Sequence, residues 1–189
     1  GQLIQNVATE VTIFGGRFTL ALTNYYFDNK EGGVEGEGKE WDFAYISTSD
    51  FDTIESSFKY SIKELSKENK IVLIYPIPEV GWHVLNKTWV DRANKFSNKT
   101  KLKNITTSYK VYKERTKSTF ELLDSITGKN IYRVYPHQLF CNTSVKNRCV
   151  VNDDENFFYI DIDHPSIKGV ELISDLILKQ IKLIETSYK

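Results

Sequence analysis

The stretch from Asp52 to Pro78 reads DTIESSFKYSIKELSKENKIVLIYPIP. Ile54, Phe58, Ile62 and Leu65 recur at helical spacing, and Asp52 is available to cap that helix. Ile71 to Tyr75 is then a continuous apolar run of strand length, closed by Pro76 and Pro78. A wholly apolar strand after an amphipathic helix is the pattern of a parallel sheet covered on both faces.

Working outward, the same alternation repeats. On the N-terminal side, Val11 to Phe14 followed by Gly15-Gly16 reads as a buried strand ending in a tight turn, and residues 28–40 read as an exposed, Gly-rich loop. On the C-terminal side, residues 83–107 look irregular. Ser108 to Ile126 has helical spacing through Tyr109, Tyr112, Thr116, Phe120 and Leu123. Ile131 to Tyr135 is a strand stopped by Pro136, and Phe157 to Ile160 is a short strand. A last helix begins near Ser166, with Ile167, Val170, Ile173, Leu176, Ile177, Ile181 and Ile184 on one stripe. The expectation is an α/β/α three-layer sandwich around a mainly parallel sheet. No repeat or linker divides the chain, so residues 1–189 are expected to form a single domain.

Composition narrows the function. Lys plus Arg and Asp plus Glu both number 25, for zero net charge, which argues against nucleic acid as a partner. No apolar run approaches the roughly 20 residues that span a bilayer, and no signal-peptide pattern opens the chain. The chain has no Met and begins with Gly1, as expected of a domain cut from a larger protein. Cys141 and Cys149 bracket a polar, turn-rich loop. A disulfide would pin that loop and imply an oxidising compartment, with two free thiols as the alternative. Neither has a further Cys or His at ligand spacing, so no metal site is expected there.

The segment most suggestive of chemistry is Asp161-Ile162-Asp163-His164-Pro165-Ser166-Ile167-Lys168-Gly169. An Asp three residues before a His, on a loop entering a helix, suits ester chemistry. The His moves a proton to and from a Ser nucleophile, and the carboxylate fixes its tautomer and stabilises the imidazolium. A capping and turn cluster, or a group of metal-binding carboxylates, is the plainer reading of the same residues. His83 and His137, which adjoin strand ends, read as surface or loop histidines. Tyr25, Trp82 and Trp89 are candidates to stack on a sugar ring.

Four features in order resemble the SGNH hydrolase superfamily, in particular the SGNH domain fused to acyltransferase-3 membrane proteins. They are Gly15-Gly16-Arg17-Phe18, Pro76-Ile77-Pro78-Glu79-Val80-Gly81, the Cys141 to Cys149 loop, and Asp161, His164, Ser166 and Gly169. The resemblance covers most of the chain. It implies a flavodoxin-like sandwich outside the cytoplasmic membrane, tethered through a membrane domain and carrying a Cys141–Cys149 disulfide. The implied activity is transfer of an acyl group, usually acetyl, to a sugar hydroxyl of a surface polysaccharide, with no cofactor. His164 would be the base, Asp161 its partner, and Arg17 with Gly16 an oxyanion or substrate contact, although an arginine at a strand end is often simply salt-bridged.

The family's Gly-Asp-Ser nucleophile segment is absent from these 189 residues. The serine is therefore expected outside this chain, which alone should be inactive; Ser47 and Ser49 are poor substitutes because neither follows an apolar strand and a Gly turn. A non-catalytic carbohydrate-binding module with the same fold, or a carbohydrate esterase, is the alternative.

Overall fold

A computed structural model describes residues 11–36, 50–84, 86 and 104–186. Ser47, Ser49 and Trp89 lie outside the described residues. Three strands form a parallel sheet: β1 (Val11–Phe14), β2 (Lys70–Ile74) and β4 (Ile131–Val134), in the order β1-β2-β4. Thr12 pairs with Ile71, and Ile71 with Ile131, so the strands run in step.

The apolar run at β2 is apolar throughout because both its faces are covered. On one face Ile71, Leu73 and Tyr75 pack with Ile62 of helix α2 (Ile54–Leu65) and Leu123 of helix α3 (Tyr109–Asp124). On the other, Val72 and Val134 pack with Leu176, Ile177 and Ile184 of helix α5 (Ile167–Thr186). Ile62, Ile71, Val72, Leu73 and Leu123 have no exposed surface. The three layers expected from the Asp52–Pro78 pattern are present.

Several boundaries and environments differ from the sequence reading. The cap of α2 is Thr53, whose hydroxyl accepts from the Ser56 N–H, rather than Asp52. Strand β1 is half-buried, with Ile13 46% exposed, because among the described residues it is the sheet edge. A short helix α1 (Phe18–Thr23) follows it directly. The described part of the Gly-rich loop, residues 28–36, is anchored rather than free. Buried Asn29 donates to the Val80 carbonyl (2.9 Å) and accepts from the Gly33 and Glu31 N–H groups. Within the region read as irregular, β3 (Thr106–Ser108) pairs antiparallel with β5 (Arg148–Val150). A further short helix α4 (His137–Phe140) follows β4.

Residues 157–160 are not a strand. Asn152 bridges Phe157 and Tyr159 bridges Pro165, each as an isolated pair. The chain doubles back within five or six residues at each bridge, leaving no length for a ladder. His137 is also not a surface residue. It is buried among the rings of Tyr109, Tyr112, Phe120 and Tyr135, at 5.4–6.5 Å, and burial lowers its pKa.

Cys141 and Cys149 are joined by a disulfide that pins the loop between α4 and β5. A cross-link over eight residues restricts the unfolded chain by about 2.5 kcal/mol. Replacing both cysteines by serine should lower urea-unfolding stability by about 2–3 kcal/mol. Counting thiols on denatured, unreduced protein checks the pairing: two titratable thiols would contradict it.

Candidate active site

The turn bearing Asp161 and His164 is held at three places. At its base the Ile160 N–H donates to the His164 carbonyl (3.0 Å), and the Ser166 N–H to the Phe158 carbonyl (2.9 Å). At its tip the Ile162 carbonyl accepts from the Val80 and Gly81 N–H groups (2.8 and 3.2 Å). Gly81 has φ +76°, and a Cβ there would meet the Gly33 carbonyl at 2.9 Å, so the position requires glycine. The Pro-Ile-Pro-Glu-Val-Gly segment is thus the backbone support of the histidine turn.

The third hold is the start of α5. The Ser166 hydroxyl donates to the Phe157 carbonyl (2.5 Å) and accepts from the Gly169 N–H (3.1 Å), capping the helix. A Cβ at Gly169 would lie 2.1 Å from the Phe158 carbonyl oxygen, so backbone meets backbone there. Gly169→Ala should cost about 1–3 kcal/mol through forced displacement of α5. Urea unfolding would read it, and a cost below about 0.5 kcal/mol would contradict this packing.

Within the turn, Asp161 lies against His164. The Nδ1 atom is 3.0 Å from Asp161 Oδ1 and 2.9 Å from Oδ2. A carboxylate can only accept, so the neutral ring carries its proton on Nδ1 and leaves Nε2 as the base. Asp161 also accepts the backbone N–H groups of Asp163 (3.1 Å) and His164 (2.9 Å). Burial pushes the Asp161 carboxyl up, but these bonds outweigh it and hold it below the usual range. The bond to Asp161, followed by the charge of Asp163, raises the His164 pKa.

The His164 side chain is 68% exposed and borders a cleft of about 390 Å³ at the C-terminal ends of β1 and β2. Gly16, Arg17, Tyr75, Pro76 and Glu79 also line it. Ligand sites in open parallel sheets lie at these strand ends. Among the described residues, no serine hydroxyl is bonded to His164.

Arg17 sits inside a set of carboxylates. It donates through Nε to Glu79 (3.0 Å) and through Nη1 to Glu35 (2.7 Å), and Nη2 bonds both. Nη1 also lies 3.0 Å from Asp163 Oδ2. Every guanidinium nitrogen therefore faces a carboxylate. Arg115 of α3 binds the other Glu79 oxygen through Nε (3.0 Å) and donates to the Thr23 hydroxyl (2.8 Å). Burial opposes the Arg17 charge, but Glu35 and Glu79 outweigh it and raise the pKa above its ordinary value.

Sequence reading brought together Asp161, His164, Gly16 and Arg17, but missed Glu35, Glu79, Arg115 and Asp163 as one network. Glu79 and Asp163 stood inside quoted motifs. Glu35, in a Gly-rich loop, and Arg115, in a charged helix, look like solvated residues, and no local signal marks them. Ligand-type atoms of Asp161, Asp163 and His164 lie within 4.8 Å of one another. The nitrogen facing both carboxylates is the bonded Nδ1, and Asp163 also pairs with Arg17, so the set is an ion-pair cluster.

The family model described as the SGNH domain (fused to AT3 domains) matches residues 2–179. The chain belongs to that family. The fold just described is therefore that of an SGNH domain of the kind fused to AT3 domains. No curated protein and no solved structure gives a significant match. No described helix of this SGNH domain is long and apolar enough to cross a membrane.

The carboxylates of the cleft contribute to the acid sensitivity of the fold. Burial pushes Glu35 up, but Arg17 outweighs it and leaves the carboxyl lowered, as Asp161 is. A lowered folded pKa contributes stability above the unfolded value near ~4 and loses it as pH falls through the folded value. Asp163, raised chiefly by burial, acts in the opposite sense. Asp28 and Asp153 are lowered too, by their hydrogen bonds, so with four lowered carboxylates against one raised the thermal midpoint should fall between about pH 5 and pH 2; a flat midpoint would contradict it.

Proposed function

We propose that this chain is the extracytoplasmic SGNH part of an O-acyltransferase, transferring an acyl group, most simply acetyl, to a sugar hydroxyl of a cell-surface polysaccharide. The observation that carries this reading is the Asp161–His164 pair, with Nδ1 fixed and the ring bordering the strand-end cleft. The fusion to acyltransferase-3 domains recorded for the family supports it.

In this reading the nucleophile is a serine outside these 189 residues. Its hydroxyl attacks the acyl carbonyl while Nε2 of His164 takes the proton, and the leaving group departs with that proton. The sugar hydroxyl then attacks the acyl-serine, giving its proton to Nε2, and the serine recovers it as the ester leaves. Asp161 holds the tautomer and stabilises the imidazolium throughout. Gly16, which lines the same cleft as His164, would be an oxyanion contact in this reading. Arg17, with every nitrogen facing a carboxylate, serves better as an anchor than as a donor to substrate.

The test is fluorophosphonate labelling of the intact protein in its own cells, with mass spectrometry of the labelled peptide. A label on a serine of the same protein outside this chain supports the transferase reading. No label on folded, expressed protein would remove its basis and favour a carbohydrate-binding module.

A further inference from the structure

We infer that Asp163 is a second carboxylate on the His164 imidazole and that Arg17 positions the histidine by clamping Asp163. The inference rests on the reading of His164 as the base.

The two Asp163 oxygens face different cations. Oδ1 lies 3.3 Å from Nδ1 of His164, and Oδ2 lies 3.0 Å from Nη1 of Arg17. Asp163 is largely shielded, at 15% side-chain exposure, whereas the imidazole is exposed. The shielded carboxylate, fixed from behind, therefore defines one side of an otherwise open ring. Arg17 cannot follow a moving Asp163, because Glu35 and Glu79 hold its remaining donors and Arg115 holds Glu79.

The clamp joins four separate segments to the histidine turn. Arg17 comes from the β1–α1 turn, Glu35 from the anchored loop, Glu79 from the segment after β2, and Arg115 from α3. The charged groups near His164 are Asp161 and Asp163 from its own turn and Arg17 beyond Asp163, with Glu35 and Glu79 bonded to Arg17. Asp163 favours the imidazolium and Arg17 opposes it. Both act beside the larger effect of the Asp161 hydrogen bond.

The roles separate by sign. Asp163→Asn keeps the shape and removes the charge, so the His164 titration midpoint should fall by about half to one pH unit. Arg17→Lys keeps the charge but loses the fork, releasing Asp163 towards the ring, so the midpoint should rise. In an Asp163→Asn background the same Arg17→Lys change should move the midpoint little, because Arg17 acts through Asp163.

The measurement is an NMR titration of the His164 imidazole in this chain, with His83 and His137 as internal references. A His164 midpoint unchanged by Asp163→Asn overturns the inference. An Arg17→Lys shift of equal size in both backgrounds also overturns it. If Arg17→Lys fails to fold, Asp163→Asn alone decides. The titration needs no nucleophile, so a failed labelling experiment would sink the transferase reading and leave this result standing.

Discussion

Asp161→Asn in the intact protein should reduce acyl transfer by roughly three to four orders of magnitude, and His164→Ala by at least as much. The donors and acceptors around Nδ1 decide the effect. Asp161 accepts from Nδ1 and from two backbone N–H groups. Asparagine retains one acceptor oxygen for the backbone, so the turn should persist. Its NH2 can face the ring, which favours the tautomer protonated on Nε2 and leaves no base at the reacting end. His164→Ala removes the proton carrier, while the backbone holds from Ile160 and Ile162 remain. Acyl content of the polysaccharide in cells expressing each variant at wild-type level is the measurement. If both variants transferred normally, the pair would not be catalytic and the turn would be structural. Sugar binding that survives both changes, without any transfer in the parent, would favour the binding-module reading.

The parallel sheet was legible because β2 is apolar at every position after Lys70, as a strand covered on both faces is. The histidine turn was legible because Asp161 and His164 are three residues apart and bond each other locally. The edge strand, the anchored loop and the ion-pair network were not. Ile13 looks like any core isoleucine until the sheet order shows what lies beside it. Glu35 and Arg115 reach the site only through tertiary contacts across 18 and 36 residues of chain. His137 was misread because most of its shielding comes from Tyr109, Tyr112 and Phe120 of α3, which its own neighbourhood in sequence does not show. Local pairs can be read from spacing, but a network assembled from five segments has no spacing to read.

Glu79→Ala should be among the most destabilising single changes in this chain, at about 3–5 kcal/mol. Glu79 is 8% exposed and uses its two oxygens on different arginines. Arg17 would keep Glu35 and Asp163 after the change. Arg115, with a side chain 11% exposed, would keep only the Thr23 hydroxyl as a hydrogen-bond acceptor. Its Nη2 is already buried without a hydrogen-bond partner, so the loss leaves a buried cation with only the more distant charge of Glu35 to balance it. Removing one member of a buried pair carries that full desolvation cost, whereas replacing both by apolar residues often costs little. The double change Glu79→Leu with Arg115→Met should therefore recover much of the stability lost in Glu79→Ala. Glu35→Ala should cost less, because it strands no cation. Urea-unfolding midpoints of the three variants test the ordering. A Glu79→Ala cost below about 1 kcal/mol, or no recovery in the double variant, would mean that Arg115 reaches water and that the network is weaker than its geometry.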